Sequence, residues 1–441
     1  MLDLKSVAGS GKTGARSRIG LALAGGGPLG IIYEIGVLLA LEEAIEGVSF
    51  NDLHAYVGVS AGAANAAVLA NGFSPAKMCR IFVLSKSTAF PINPEHFLTP
   101  AFRLYARGFG RLPRLFWSAV WEHARSPGDT GLLGAFSRLA LALPSGVWDN
   151  NRINRFLTEL FSSRGRTNDF RKLKRQLFIV VTKLDTAEII KFGAPGQDHV
   201  PIAKAVQAST AVPGLFPPVA IGGEYYVDGG LMKTVHASTA LDAGADLLFC
   251  INPIVSFNAN LVNPAQKKNL HALVEGGFPV VMSQAFRTII HSRMTVGISN
   301  YAAAYPNKDV IVFEPDSGDS NMFFANVFSF ANRVKVCEHA YQTTRADLYA
   351  RRNELGRILQ RHGVTLRTDI LADRSRHFDS HLQVSPAEIK LAKLRNGVTN
   401  DLSDALDQLE EWLQSRPSAI VQPAEEHPPV TRMDCGRSLP G

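Results

Sequence analysis

Ser60 sits at the centre of Gly58-Val59-Ser60-Ala61-Gly62, a serine with glycines two places before it and two places after. That spacing suits a sharp strand-to-helix turn. The glycines leave room for the tight backbone, and strain pushes the hydroxyl out above the sheet edge. Tyr56-Val57 reads as the end of a short strand, and Ala61 to Leu69 is almost all small or apolar, the pattern of a helix lying close on a sheet. The first amides of such a helix face the serine. Alone, the pentapeptide fits a buried turn with a capping serine equally well, so its chemistry depends on what the fold brings to it.

Two further motifs supply partners. Ile19 to Ala24 predicts a buried strand, followed by Gly25-Gly26-Gly27-Pro28-Leu29-Gly30 and an apolar helix through about Glu43. Strand, glycine loop and helix make a nest of backbone N–H groups with a helix dipole behind it, suited to a negative oxygen. Gly25, Gly27 and Gly30 fit the G-x-G-x-x-G of dinucleotide binding, but that use asks for an acid closing a second strand about 20 residues on. Glu43 and Glu46, at that distance, fall in a helix and its exit, and the second strand leads into Ser60. An oxyanion hole for an ester carbonyl becoming tetrahedral is the reading favoured. The other motif is Asp228-Gly229-Gly230, after Glu224-Tyr225-Tyr226-Val227. An acid at a strand end, held by a glycine turn, is placed to accept a proton from a neighbouring hydroxyl. Between the motifs, Ala208 to Pro218 carries two proline turns around Leu215-Phe216, a rigid apolar loop suited to lining a pocket.

At this point the chain resembles the patatin-like phospholipase family, bacterial type. The resemblance covers about residues 19–242 and rests on four motifs in order: the Gly25–Gly30 loop, Gly58-Val59-Ser60-Ala61-Gly62, the Ser209–Pro218 loop and Asp228-Gly229-Gly230. It implies an α/β fold, three-layered, with a central mostly parallel sheet flanked by helices. It also implies a Ser–Asp dyad, with Ser60 as nucleophile and Asp228 as proton acceptor. Backbone N–H groups of the Gly25, Gly26, Gly27, Pro28, Leu29, Gly30 loop, chiefly Gly26 and Gly27, would form the oxyanion hole. The implied reaction is hydrolysis of an acyl ester through an acyl-serine. Chemistry agrees, because a serine hydroxyl needs a base during attack and a carboxylate within hydrogen-bond reach can serve. A histidine relay is the alternative, and His236 is the nearest after Asp228. The chain departs from the family pattern at Leu29, where many members carry Lys or Arg, and at Thr234 and His236, where members often have Asn and Pro.

The rest of the chain frames this unit. Residues 1–18 read as a flexible basic arm, and Ser6 to Thr13 nearly spells a P-loop but lacks its first glycine and a preceding strand. Residues 95–146 are an insertion that is read as a lid or membrane segment. Within it, Ala101 to Arg125 interleaves Arg103, Arg107, Arg111, Arg114 and Arg125 with Phe102, Tyr105, Phe109, Phe116, Trp117 and Trp121. Rings at an acyl boundary with arginines on phosphates make an interfacial helix; the alternative is rings packed on the sheet. Residues 243–416 are expected to complete the sheet (Asp246 to Ile251, Asp309 to Phe313) and then form a helical extension. Its helical stretches are Gly276 to Met294, Met322 to about Arg361 and Pro386 to Arg416. Residues 417–441, rich in proline, read as disordered.

Composition bounds the setting. The 441 residues carry 46 Lys and Arg against 39 Asp and Glu, a net charge of +7 that favours an anionic surface. With no nucleic-acid fold signature, the expected partners are lipid substrate and an anionic membrane surface; a protein partner is unknown. Cys79, Cys250, Cys337 and Cys435 are spaced like reduced thiols, and no apolar run reaches a membrane span. The expected location is cytoplasmic, peripheral at the inner membrane face. The expectation is a serine acyl hydrolase of phospholipid or other glycerolipid needing no cofactor and no metal. A transacylase on the same acyl-serine and a non-enzymatic lipid-surface protein remain open.

Overall fold

The structure, a computed structural model, describes residues 2–5, 17–84, 99–102, 145–254, 303–317 and 332–380, with isolated positions around them. One nine-stranded sheet organises these residues. Its strands are β1 (Leu2–Lys5), β2 (Ile19–Leu23), β3 (Ala55–Val59), β4 (Gln176–Lys183), β5 (Ile189–Phe192), β6 (Val219–Ile221), β7 (Glu224–Asp228), β8 (Leu247–Ile251) and β9 (Asp309–Phe313). The order is β1-β9-β8-β2-β3-β4-β7-β6, with β5 also paired to β4. From β9 to β4 all neighbours are parallel, and antiparallel pairs close both flanks.

The central parallel strands β2, β3 and β8 are continuous apolar runs because both sheet faces are covered. All five residues of β2, β3, β8 and β9 are buried. Alternation divides them between two cores. Leu21, Leu23, Tyr56, Phe249 and Ile311 face one side; Ala22, Val57, Val59, Leu248, Cys250 and Val310 face the other. The first face carries helices α1 (Gly27–Ala44), α2 (Ala61–Ala70) and α3 (Ile202–Ser209), and the second carries α4 (Ala237–Asp242). The result is a three-layer α/β unit. Every residue of α2 is buried, which its alanines permit by letting it lie close between sheet and neighbours.

The expected helical stretch from Met322 to Arg361 contains α5 (Arg333–Ala350) and α6 (Arg352–Arg361). Helix α5 crosses α1 so closely that a β-carbon at Gly36 would lie 2.4 Å from Cys337 O. Buried Glu43 of α1 accepts from the Tyr341 hydroxyl, from Arg345 (3.2 Å) and from Arg376, tying the later helices to the first. Cys79 and Cys337, far apart in sequence, hydrogen-bond to each other as free, buried thiols.

One expectation needs correcting. Residues 1–18 are not flexible arm throughout, since Leu2–Lys5 pairs antiparallel with β9 and extends the sheet. Its alternation of Leu2 and Leu4 with Asp3 and Lys5 is the period-two signal of an edge strand, masked by the basic residues after it. The near-P-loop, most of the 95–146 insertion, the Gly276 to Met294 stretch apart from isolated positions, the Pro386 to Arg416 stretch and residues 417–441 lie outside the described residues.

Candidate active site

Register alone brings two of the motifs together. Val59 is paired with Val180 and Asp228 with Val181, while β5 holds the other side of those residues through Lys191 and Ile190. Strands β3 and β7 therefore share one edge of β4. One runs parallel to it and the other antiparallel, so their C-terminal ends meet head to head. Ser60 is the residue just past one tip, and Asp228 is the other tip.

Ser60 adopts φ 53° and ψ −125°, a conformation that costs a non-glycine residue about 1–3 kcal/mol. It is the turn expected from the flanking glycines. A β-carbon at Gly62 would lie 2.4 Å from Ala24 O and one at Gly58 would lie 2.5 Å from Ala63 Cα, so only glycine allows the turn to close against β2. The Gly62 N–H donates to Ala24 O at 3.0 Å. The Ser60 hydroxyl is hydrogen-bonded to the Asp228 carboxylate, whose Oδ1 also accepts the Gly230 N–H at 2.8 Å. Gly229 is pressed against β4, where a β-carbon would meet Val180 O at 2.5 Å. Burial pushes the Asp228 carboxyl up from 3.8 to about 6, against the lowering influence of Ser60 and the Gly230 N–H. That places its basicity nearer neutral pH than an ordinary aspartate while leaving it ionised at pH 7.

The glycine loop completes the site. Gly25 directly follows the strand end at Ala24, and its hydrogen points at the serine: a β-carbon there would lie 3.0 Å from Ser60 Cβ and 3.5 Å from Ser60 Oγ. Gly26 and Gly27 have φ 157° and 61°, conformations that favour glycine. Pro28 opens α1, whose first N–H groups have no intrahelical acceptor, and Gly30 N–H returns to Gly26 O at 3.0 Å. Gly26, Gly27 and Pro28 are half-buried whereas Leu29 and Gly30 are buried. Leu29 turns into the main core and leaves the loop mouth to backbone. Outside the loop, Pro253 and Ile254 brace it: a β-carbon at Gly26 would be 2.6 Å from Pro253 Cγ, and one at Gly25 3.7 Å from Ile254 Cδ1.

His236 hydrogen-bonds neither Ser60 nor Asp228. It has a left-handed backbone at the start of α4, and its Nε2 is hydrogen-bonded to Gly229 O at 3.3 Å, so it props the Asp-Gly-Gly turn from behind. Burial pushes its imidazole down to about 4, keeping it neutral at physiological pH. The Ala208–Pro218 segment is only partly the apolar loop expected. Phe216 is buried, and Leu215 O accepts the Trp148 N–H at 2.8 Å, but Ser209 is the last residue of α3 and is polar in its role. Its hydroxyl donates to Val180 O (2.7 Å) and accepts the Ser60 N–H (2.9 Å). Sequence reasoning marked Ser209 only as the start of a motif and missed this role, because partners 29 and 149 residues away leave no local signal. Among the described residues, no group of three or more His, Cys, Asp or Glu could hold a metal ion.

The chain is similar to several solved structures. VipD from Legionella pneumophila is 14% identical with a TM-score of 0.30, over 93% of this chain and 89% of that one. The type III effector protein ExoU is 16% identical with a TM-score of 0.33, over 93% of this chain and 67% of that one. Full-length ExoU bound to SpcU, from the type III secretion system of Pseudomonas aeruginosa, is 16% identical with a TM-score of 0.26, over 86% and 77%. No curated protein sequence matches the chain. The sequence profile of the patatin-like phospholipases matches residues 21–241, and that span contains all four motifs gathered around Ser60. On that match the chain belongs to the patatin-like phospholipase family.

Proposed function

We propose that the protein is a lipid acyl hydrolase working through an acyl-serine intermediate, with Ser60 as nucleophile and Asp228 as the sole base. The observation that carries this reading is the hydrogen bond between the two side chains at the buried junction of β3 and β7. As Ser60 Oγ attacks the ester carbonyl, Asp228 takes its proton. The N–H groups of Gly26 and Gly27, beside Ser60 and at the head of α1, receive the developing oxyanion. The tetrahedral species collapses by expelling the alcohol, which leaves with the proton held by Asp228. Water then enters, gives a proton to Asp228 and attacks the acyl carbon. Release of the fatty acid returns that proton to Ser60. No step calls for a metal or an organic cofactor.

The family supports lipid esters as the substrate class. The net charge of +7 supports a peripheral position on an anionic membrane face. So does Trp117, 69% exposed with exposed Arg114 three residues before it. Among the described residues no helix is long and apolar enough to cross a membrane.

The test is fatty-acid release from phospholipid, lysophospholipid, triacylglycerol and a short-chain p-nitrophenyl ester. Wild type is compared with Ser60→Ala and Asp228→Asn, with folding checked by circular dichroism. Turnover by wild type alone is expected. Residual turnover in folded Ser60→Ala equal to wild type refutes the mechanism.

A further inference from the structure

The end-to-end meeting of β3 and β7 on β4 breaks the backbone ladder at one point, and that point is beside the nucleophile. Val59 is the last residue of β3 in register with Val180, and Ser60 then turns away into α2. Two strong backbone groups meet at this break in a fully buried place: the Ser60 N–H and the Val180 carbonyl. A hydroxyl is inserted between them. Ser209 Oγ accepts the Ser60 N–H at 2.9 Å and donates its own proton to Val180 O at 2.7 Å. Ser209 has no exposed surface, and the end of α3 holds it in place.

The same carbonyl touches the other half of the site. The Gly229 Cα is packed on Val180 O so tightly that a β-carbon would lie 2.5 Å away. The chain Ser60 N–H, Ser209 hydroxyl, Val180 carbonyl thus refers the nucleophile's backbone to the strand residue against which the Asp228 turn is seated. It also engages the Ser60 N–H, so that group is not available to an oxyanion.

We infer that Ser209 is a positioning residue: its hydroxyl splices the broken ladder and fixes the strained Ser60 backbone so that Oγ stays on Asp228. Without that oxygen two buried backbone groups lose their partner. The N–H and carbonyl can recover it only by approaching each other, which draws Ser60 toward β4 and away from its aligned position. Misplacement of a reacting group by about 1 Å costs on the order of 100-fold in rate.

This inference rests on the proposed role of Ser60, and the experiment separates the two. Full-length wild type, Ser60→Ala, Ser209→Ala, Ser209→Thr and Ser209→Cys are assayed for kcat and KM on a p-nitrophenyl ester. Labelling rate by a fluorophosphonate and urea-unfolding midpoint are measured on each protein. Ser209→Ala is expected to lose about 100-fold in kcat and in labelling rate with KM nearly unchanged. Ser209→Thr, which keeps the oxygen, is expected to restore both, with Ser209→Cys between. A folded Ser209→Ala with wild-type kcat and labelling overturns the inference. If Ser209→Ala does not fold, the thiol variant decides: wild-type rates in Ser209→Cys overturn the inference, and reduced rates beside an active Ser209→Thr support it. Turnover surviving in Ser60→Ala would instead remove the reading of the site on which the inference stands.

Discussion

Asp228→Asn is predicted to make the protein more stable as it makes it inactive, and the gain has a specific pH dependence. Asp228 is 4% exposed and its carboxyl pKa rises from 3.8 to about 6 because burial disfavours the charge. Between those values the native state holds more protons than the unfolded chain, so stability falls as pH rises through the window and stays lowered above it. A shift of about 2 units at ~1.4 kcal/mol each puts the cost of the ionised form at about 3 kcal/mol above pH 7. Asparagine has the same shape, can still accept the Gly230 N–H through Oδ1, and carries no charge to bury.

The variant should therefore exceed wild type by up to about 3 kcal/mol at pH 8, by roughly half that at pH 5, and by about 0.5 kcal/mol at pH 4. Urea unfolding followed by the fluorescence of the four tryptophans measures the difference at each pH. Other buried ionisable groups, such as Glu34 with its carboxyl raised by burial, are common to both proteins and cancel in the comparison. An advantage that does not change between pH 5 and 8, or no advantage at pH 8, would refute the claim that desolvation sets the basicity of this carboxylate.

Three other outcomes follow from the same geometry. Because Asp228 must be ionised to accept a proton, kcat/KM should rise with unit slope below about pH 6 and level off above it; a flat profile from pH 5 to 8 contradicts a lone carboxylate base. Gly26→Ala sets a β-carbon 2.6 Å from Pro253 Cγ and 2.8 Å from Gly30 Cα at φ 157°, so the loop must shift. Its kcat on a p-nitrophenyl ester should drop about 100-fold with the fold retained by circular dichroism. Glu43→Ala removes the counter-charge of Arg345, whose side chain is 4% exposed, and should lower stability by about 3 kcal/mol in urea unfolding while leaving kcat within a factor of a few.

The sequence made the proposed pair, Ser60 and Asp228, legible because both members sit in turns that only certain residues can form. Glycines at 58 and 62 bracket Ser60, and glycines at 229 and 230 follow Asp228; those at 58, 62 and 229 each allow a backbone approach that a side chain would block. The buried strands were equally legible, since Ile19–Leu23 and Leu247–Ile251 are unbroken apolar runs and Val310–Phe313 is another, directly after Asp309. What could not be read was register. Nothing local to residues 55–59 or 224–228 says that both strands take the same edge of β4, which is the fact that makes Ser60 and Asp228 neighbours. Ser209 was hidden for the same reason, as a small polar residue closing an ordinary helix. His236 was visible as a histidine near the acid, but its direction depends on a left-handed backbone that composition does not announce. Leu2–Lys5 was lost to charge: two apolar positions beside a basic stretch gave too weak an alternation to outweigh it.

The support of the glycine loop shows why the family span and the unit that holds the proposed site differ. The profile ends at residue 241, yet β8 lies beyond it and is the direct parallel neighbour of β2, the strand that delivers the glycine loop. Past β8 the chain turns at Asn252, whose side chain closes the turn on itself by accepting the Ile254 N–H (3.1 Å) and donating to Ile254 O (2.9 Å). Its N–H is given to Phe313 O at the end of β9 (2.8 Å). That turn sets the Pro253 ring against Gly26 and Gly30 and the Ile254 side chain beside Gly25. A loop rich in glycine is free to move in isolation, and preorganised donors stabilise an oxyanion only if they are already in place. Here the rigidity is supplied from outside the loop, by a proline ring and a strand pair that carry no catalytic motif. The serine and aspartate motifs therefore do not by themselves bound the proposed site. The residues that hold the glycine loop still belong to the same functional unit, although nothing in their own sequence marks them for chemistry.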